Sequence, residues 1–172
     1  MKIAINAGHT AVGAGSGAVY KGWHESDIVR DVTRALIPLL RKKGHDVKTV
    51  NVDRASTQKA YLKSVCQLAN ATGADLFVSI HCNASVTHLG KGCVAYTWKG
   101  KKVKQAVRIC DALADLGFKN RGVKDGSKLY VVKHTVATAV LVELFFLDNS
   151  TDRALYEKLG PAKIAEAIAK AL

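Results

Sequence analysis

The chain has 172 residues, 48% of them hydrophobic and only two of them proline, which excludes a disordered or fibrous protein and fits one folded domain with a full core. Lys and Arg number 26 against 14 Asp and Glu, a net charge of +12 that either attracts polyanions or serves solubility alone. No recognition helix, RNP-like aromatic motif or zinc finger accompanies that charge, and no apolar run has membrane-span length, so neither nucleic acid nor membrane insertion is expected. Residues 2–6, "KIAIN", predict a first strand, and "AGHT" a turn after it. Residues 11–23 are rich in glycine and predict a loop. From Glu25 to Lys43 the apolar positions Ile28, Val32, Ala35, Leu36, Leu39 and Leu40 fall at helical spacing; Gly44 stops the helix and Pro38 is expected to kink it. "HDVKTVNV" predicts a second strand, residues 56–72 a second helix, and "DLFVSIH" a third strand covered on both faces. "GCVAYTW" predicts a fourth strand, 101–116 a helix, "KLYVV" a short strand, and "TAVLVELFFL" a central strand. Residues 150–159 and 161–171 predict two closing helices.

Strands alternating with helices predict an α/β fold: a mainly parallel twisted sheet of about six strands, with helices on both faces. No linker or repeat divides the chain, so residues 1–172 are expected to form a single domain. The opening "MKIAINAGHT" lacks an apolar signal core, and synthesis in the cytoplasm without a signal peptide is expected. Cys66, Cys82, Cys93 and Cys110 form no C-x-x-C pair and predict reduced, partly buried thiols. Cys82 follows His81 along a strand, so the two should face opposite sides of the sheet.

The potential ligands fall at telling places. His9 follows the first strand, Glu25 begins the first long helix, and His81 ends the third strand. Glu143 interrupts the most apolar run in the chain. In parallel sheets functional groups gather beyond the carboxyl ends of strands. Two imidazoles and a carboxylate can hold a catalytic zinc, and a further carboxylate can move the proton of an attacking water. The bland readings are a satisfied core histidine at His81 and a buried salt bridge at Glu143. The ligands lie far apart in sequence and match no compact zinc motif, so the residues alone reach a zinc hydrolase of α/β class and stop there.

"INAGHT", "GWHESDIVRDV", "GADLFVSIHCNAS", "NRGVK" and "VLVELFFLDN" occur in this order along nearly the whole chain. Together they resemble the zinc-dependent N-acetylmuramoyl-L-alanine amidases of the amidase 3 type. The resemblance implies Zn2+ held by His9, Glu25 and His81, with Glu143 catalytic. It implies hydrolysis of the amide between N-acetylmuramic acid and L-alanine in bacterial peptidoglycan. The alternatives are a zinc peptidase cutting within the stem peptide and a non-catalytic basic polyanion-binding module. Asn83 follows the histidine as in the family and is assigned a substrate or supporting role. Arg121 and Lys124 of "NRGVK", and His134 before the glutamate strand, are further candidates for substrate contact, although an ordinary turn explains "NRGVK" equally well. His24 beside Glu25 is a rival ligand. The chain departs from the family pattern at Val65, Thr138 and Phe145, and Phe145, standing where a glycine is usual, could narrow the site. No separate wall-binding domain is legible, so the net charge is expected to attract anionic wall polymers in its place. An endolysin freed through a membrane hole to act on the wall would suit a chain with no signal peptide.

Overall fold

The computed structural model describes residues 1–172. In chain order the strands and helices are β1 (Lys2–Ala7), β2 (Val19–Tyr20), β3 (Trp23–His24), α1 (Glu25–Lys42), β4 (Asp46–Thr49), α2 (Gln58–Ala71), β5 (Leu76–Asn83), β6 (Cys93–Thr97), α3 (Lys104–Asp115), β7 (Asn120–Asp125), α4 (Tyr130–His134), β8 (Thr138–Phe146) and α5 (Ser150–Ala171). Six strands form one sheet in the order β4-β1-β5-β8-β6-β7, and β2 and β3 form a separate two-residue hairpin. The β4, β1, β5 and β8 strands are parallel to one another. β6 runs antiparallel to β8, and β7 is parallel to β6. The α/β fold with its mainly parallel six-stranded sheet is therefore as the alternating pattern predicts.

The helices cover both faces. On one, α1, α3 and α5 pack over Ile3, Ile5, Val78, Ile80, Val140 and Val142. On the other, α2 and the short α4 cover Ala4, Phe77 and Leu141. Burial on both faces is why Leu76, Phe77, Val78 and Ile80 are apolar without alternation, with Ser79 the one polar residue among them. The α2 helix starts on Thr57, whose hydroxyl accepts from Ala60 N at 3.1 Å. Asn149 does the same for α5, accepting from Thr151 and Asp152.

Three expectations need correction. "KLYVV" is not a strand: α4 begins within it, because Val131 and Val132 reach the α2 core only if the segment coils. "NRGVK" is not a turn but lies in the edge strand β7. Pro38 lies inside α1, which continues to Lys42. The glycine-rich loop contains the β2–β3 hairpin. The two closing helices form as expected, joined at Gly160, whose backbone leaves helical geometry (φ 72°, ψ 166°). All four cysteines are buried free thiols.

Candidate metal centre and active site

The carboxyl ends of β1 and β5 lie side by side, with Ala7 opposite Ile80. His9 leaves β1 in a left-handed conformation (φ 67°). That geometry costs a non-glycine residue about 1–2 kcal/mol and is held by Arg30, which donates to the His9 carbonyl at 3.1 Å and to Asp53 at 2.9 Å. Gly8 makes room: a Cβ there would lie 2.4 Å from the His81 ring. A Cβ on Gly17 (φ 86°) would lie 2.7 Å from the Glu25 carboxylate and 2.8 Å from the His9 ring. Glu25 opens α1, where the helix dipole favours a negative charge, and the β2–β3 hairpin returns it to the sheet edge.

Glu25 Oε1 lies 3.0 Å from His9 Nε2 and 3.2 Å from His81 Nδ1, and those two nitrogens are 3.2 Å apart. The hydrogen bonds behind the rings fix their tautomers. His9 Nδ1 is 2.9 Å from the Gly15 carbonyl, which can only accept, so Nδ1 carries the proton and Nε2 keeps its lone pair. Asn6 donates through Nδ2 to the Val50 carbonyl, so its Oδ1 accepts the Ser79 hydroxyl at 2.9 Å. That hydroxyl's oxygen then accepts from His81 Nε2 at 3.0 Å, leaving Nδ1 unprotonated. Three lone-pair donors thus converge with no proton among them. The remaining capacity of Glu25 is spent on backbone: Ala18 N donates to Oε2 and Cys82 N to Oε1, each at 2.9 Å.

This donor set fits a small divalent cation, and two nitrogens with one carboxylate oxygen suit zinc. The electrostatics agree. Burial works against ionising Glu25, yet in the metal-free cluster protons taken up by His81 and His9 stand in for the cation, and their hydrogen bonds hold its carboxyl far below the usual range. Burial likewise opposes protonating His9, but the Glu25 carboxylate raises it overall. His24 caps α1 as an exposed residue outside the cluster, so Glu25 occupies the third place.

A cavity of about 440 Å³ opens over the cluster, lined by His9, Glu25, His81, Asn83 and Glu143 together with α2 and the segment leading into α4. Glu143 stands directly beside His81 across the β5–β8 ladder. Its Oε2 is buried without a hydrogen-bond partner, and no Lys or Arg pairs with it. Burial first, and repulsion from Glu25 second, push its carboxyl up to about 8. The salt-bridge reading of Glu143 therefore finds no partner. Phe145 does not narrow the cavity. His81 pairs with Glu143 but Asn83 pairs with Phe146, so β8 carries one extra residue there. That bulge turns Phe145 into the core, where it stacks on Phe118 and Tyr156.

The other sequence candidates lie elsewhere. Arg121 stacks over the Phe146 ring at 4.8 Å, Lys124 is exposed on β7, and His134 is exposed at the end of α4 beside Tyr130. None of the three lines the cavity, whereas Lys128, Tyr130, Tyr61 and Gln58 do. The supporting residues Asn6 and Ser79 were also missed. Their signal was present: a polar side chain inside an apolar strand, and for Ser79 a position two before a ligand, hence on the ligand's face.

The sequence pattern of N-acetylmuramoyl-L-alanine amidases matches residues 3–172. The chain belongs to that family. The catalytic domain of the CD27L endolysin targeting Clostridia difficile superposes with a TM-score of 0.90 at 34% identity, over 99% of this chain and 96% of that one. The endolysin of Bacillus phage SPP1 is 33% identical over 90% of this chain and 58% of its own length. An uncharacterized protein of Clostridium perfringens strain 13 is 36% identical over the whole chain and 51% of its own length. The chain spans about half the length of the curated relatives it matches. No helix is long and apolar enough to cross a membrane.

Proposed function

We propose that residues 1–172 form a single catalytic domain that hydrolyses the amide between N-acetylmuramic acid and the L-alanine of the peptidoglycan stem peptide, using one zinc ion held by His9 Nε2, His81 Nδ1 and Glu25 Oε1. The observation that carries this reading is the set of three proton-free donors facing one point, with the unpaired Glu143 carboxylate on the same cavity wall. Zinc, when bound, supplies Lewis acidity that polarises the scissile carbonyl and makes water a nucleophile at neutral pH.

The chain's own residues do the rest. Gly15 and Ser79 hold the two imidazoles in the tautomers that present lone pairs inward. Glu143 accepts the proton of the attacking water and returns it to the alanine nitrogen as the C–N bond breaks. Burial and the neighbouring Glu25 raise this carboxyl, which suits the return of the proton, and a bound dication would offset that rise and leave a carboxylate to accept it first. Asn83, on the strand end after His81, lines the cavity, and in this reading it contacts the substrate amide or a neighbouring group. Arg121, Lys124 and His134 act, if on substrate, outside the cavity.

The charge of +12 draws the enzyme to anionic wall polymers through scattered surface lysines, among them Lys42, Lys43, Lys99, Lys101 and Lys102, all exposed. The resemblance to phage endolysins supports release to the wall at lysis. The test is product analysis on purified peptidoglycan with and without a chelator. Free N-terminal alanine that appears only when metal is present supports the amidase. New termini within the stem peptide, with alanine still blocked, would replace it with a peptidase.

A further inference from the structure

The basic residues expected to meet substrate, Arg121 and Lys124, do not line the cavity, and Lys128 does. It is the one Lys or Arg among the lining residues, which otherwise carry the carboxylates of Glu25 and Glu143. Its side chain is exposed and belongs to no ion pair of the protein. A surface lysine with neither role nor partner is ordinary. What distinguishes this one is the rigidity of the turn that carries it.

Ser127 donates to Asp125 Oδ1 through its backbone N at 2.8 Å and its hydroxyl at 2.6 Å, and its oxygen accepts from Lys99 N at 3.0 Å. Gly126 N donates to the Thr97 carbonyl and Leu129 N to that of Gly126, each at 2.8 Å. Gly126 also packs so closely on Tyr96 that a Cβ would lie 3.0 Å from it. The segment on the far side, α4, is anchored by buried Val131 and Val132. Lys128 therefore stands on a backbone fixed on both sides, and its exposed side chain lines the cavity that also holds Glu25 and Glu143.

We infer that Lys128 is a specificity residue that binds a free carboxylate on the stem peptide beyond the L-alanine of the scissile amide. This rests on the amidase reading. The lactyl carboxyl of the sugar is consumed in the scissile amide and the sugar's N-acetyl group is neutral, so a cation at the rim finds its anion on the peptide side. The second stem residue is a glutamate joined through its side-chain carboxyl, and its α-carboxyl is free in some walls and amidated in others. An ammonium beside that group discriminates the two: it forms an ion pair with the acid and only an ion–dipole hydrogen bond with the amide. The cavity volume is within the range of clefts that enclose small ligands.

The test uses two muramoyl tetrapeptides that differ only in a free or amidated glutamate α-carboxyl. The zinc-loaded wild-type protein should favour the acid in kcat/KM by about five- to tenfold, mainly through KM. In Lys128→Gln that ratio should fall toward one. Lys128→Arg should keep most of it, and Lys124→Gln should keep all of it. Calorimetric binding to the metal-stripped protein should show the same preference with no turnover involved. A wild type without preference, or a preference that survives in Lys128→Gln, overturns the inference. Binding that discriminates while neither peptide is cleaved would keep the Lys128 site and remove the amidase reading. Cleavage without discrimination would do the reverse.

Discussion

Replacing Glu143 by Gln should make the metal-free protein more stable while nearly abolishing its activity. The carboxyl is held at about 8 against an ordinary value of 4.5, because it is buried without a partner and faces the Glu25 charge. A group raised on folding stabilises the native state fully below the lower value, and that stability is lost as pH climbs through the upper one. The window is therefore pH 4.5 to about 8. At pH 7 the unfolded carboxyl is about 2.5 pH units above its own midpoint while the native one stays mostly protonated. At about 1.4 kcal/mol per pH unit the penalty is about 3 kcal/mol. Glutamine cannot ionise and removes it, although its buried amide recovers no hydrogen bond, so about 3 kcal/mol is the ceiling. Urea unfolding of chelator-treated wild type and Glu143→Gln should show a gain of at least about 1 kcal/mol at pH 7 that vanishes near pH 4.5. Turnover of the zinc-loaded variant should fall about a hundredfold or more. A variant less stable at pH 7 would refute the reasoning, since it would reveal a cationic partner for Glu143.

Three further outcomes follow from the same geometry. Ser79→Ala removes the acceptor that holds the His81 tautomer and should weaken zinc binding about 10- to 100-fold, read by competition with a chromophoric chelator. Phe145→Gly should destabilise the protein by about 3–5 kcal/mol in thermal or urea unfolding, because the ring is core, and should not widen the substrate cavity. Lysis of intact cells should fall as salt rises past the point where the Debye length is about 8 Å, while cleavage of a small soluble muropeptide changes much less; equal salt responses would remove the surface charge from wall targeting.

The strands that carry the ligands were legible because both core faces cover them, so their residues are apolar without alternation and His81 and Glu143 interrupt the pattern visibly. The convergence of His9, Glu25 and His81 was not legible from spacing. It depends on the left-handed turn at His9, held by Arg30, and on the hairpin that returns Glu25 to meet the backbone of Cys82, both contacts between segments distant in sequence. "KLYVV" misleads because β-branched and aromatic residues favour strands in general, and a five-residue helix is decided by packing instead. Phe145 misleads for a related reason: strand alternation places it on the face of Glu143, and only the bulge reverses that. Lys128 gave no signal at all, being one lysine among many until the turn beneath it is seen.

The central claim is that His9, Glu25 and His81 hold the metal as one set. The most direct measurement is the zinc content of the dialysed protein beside that of His81→Ala, with folding of both confirmed by circular dichroism. The wild type should retain one zinc ion per chain and the folded variant less than about a tenth of that, since two ligands cannot hold zinc against dialysis. A full equivalent of zinc on folded His81→Ala would contradict the account.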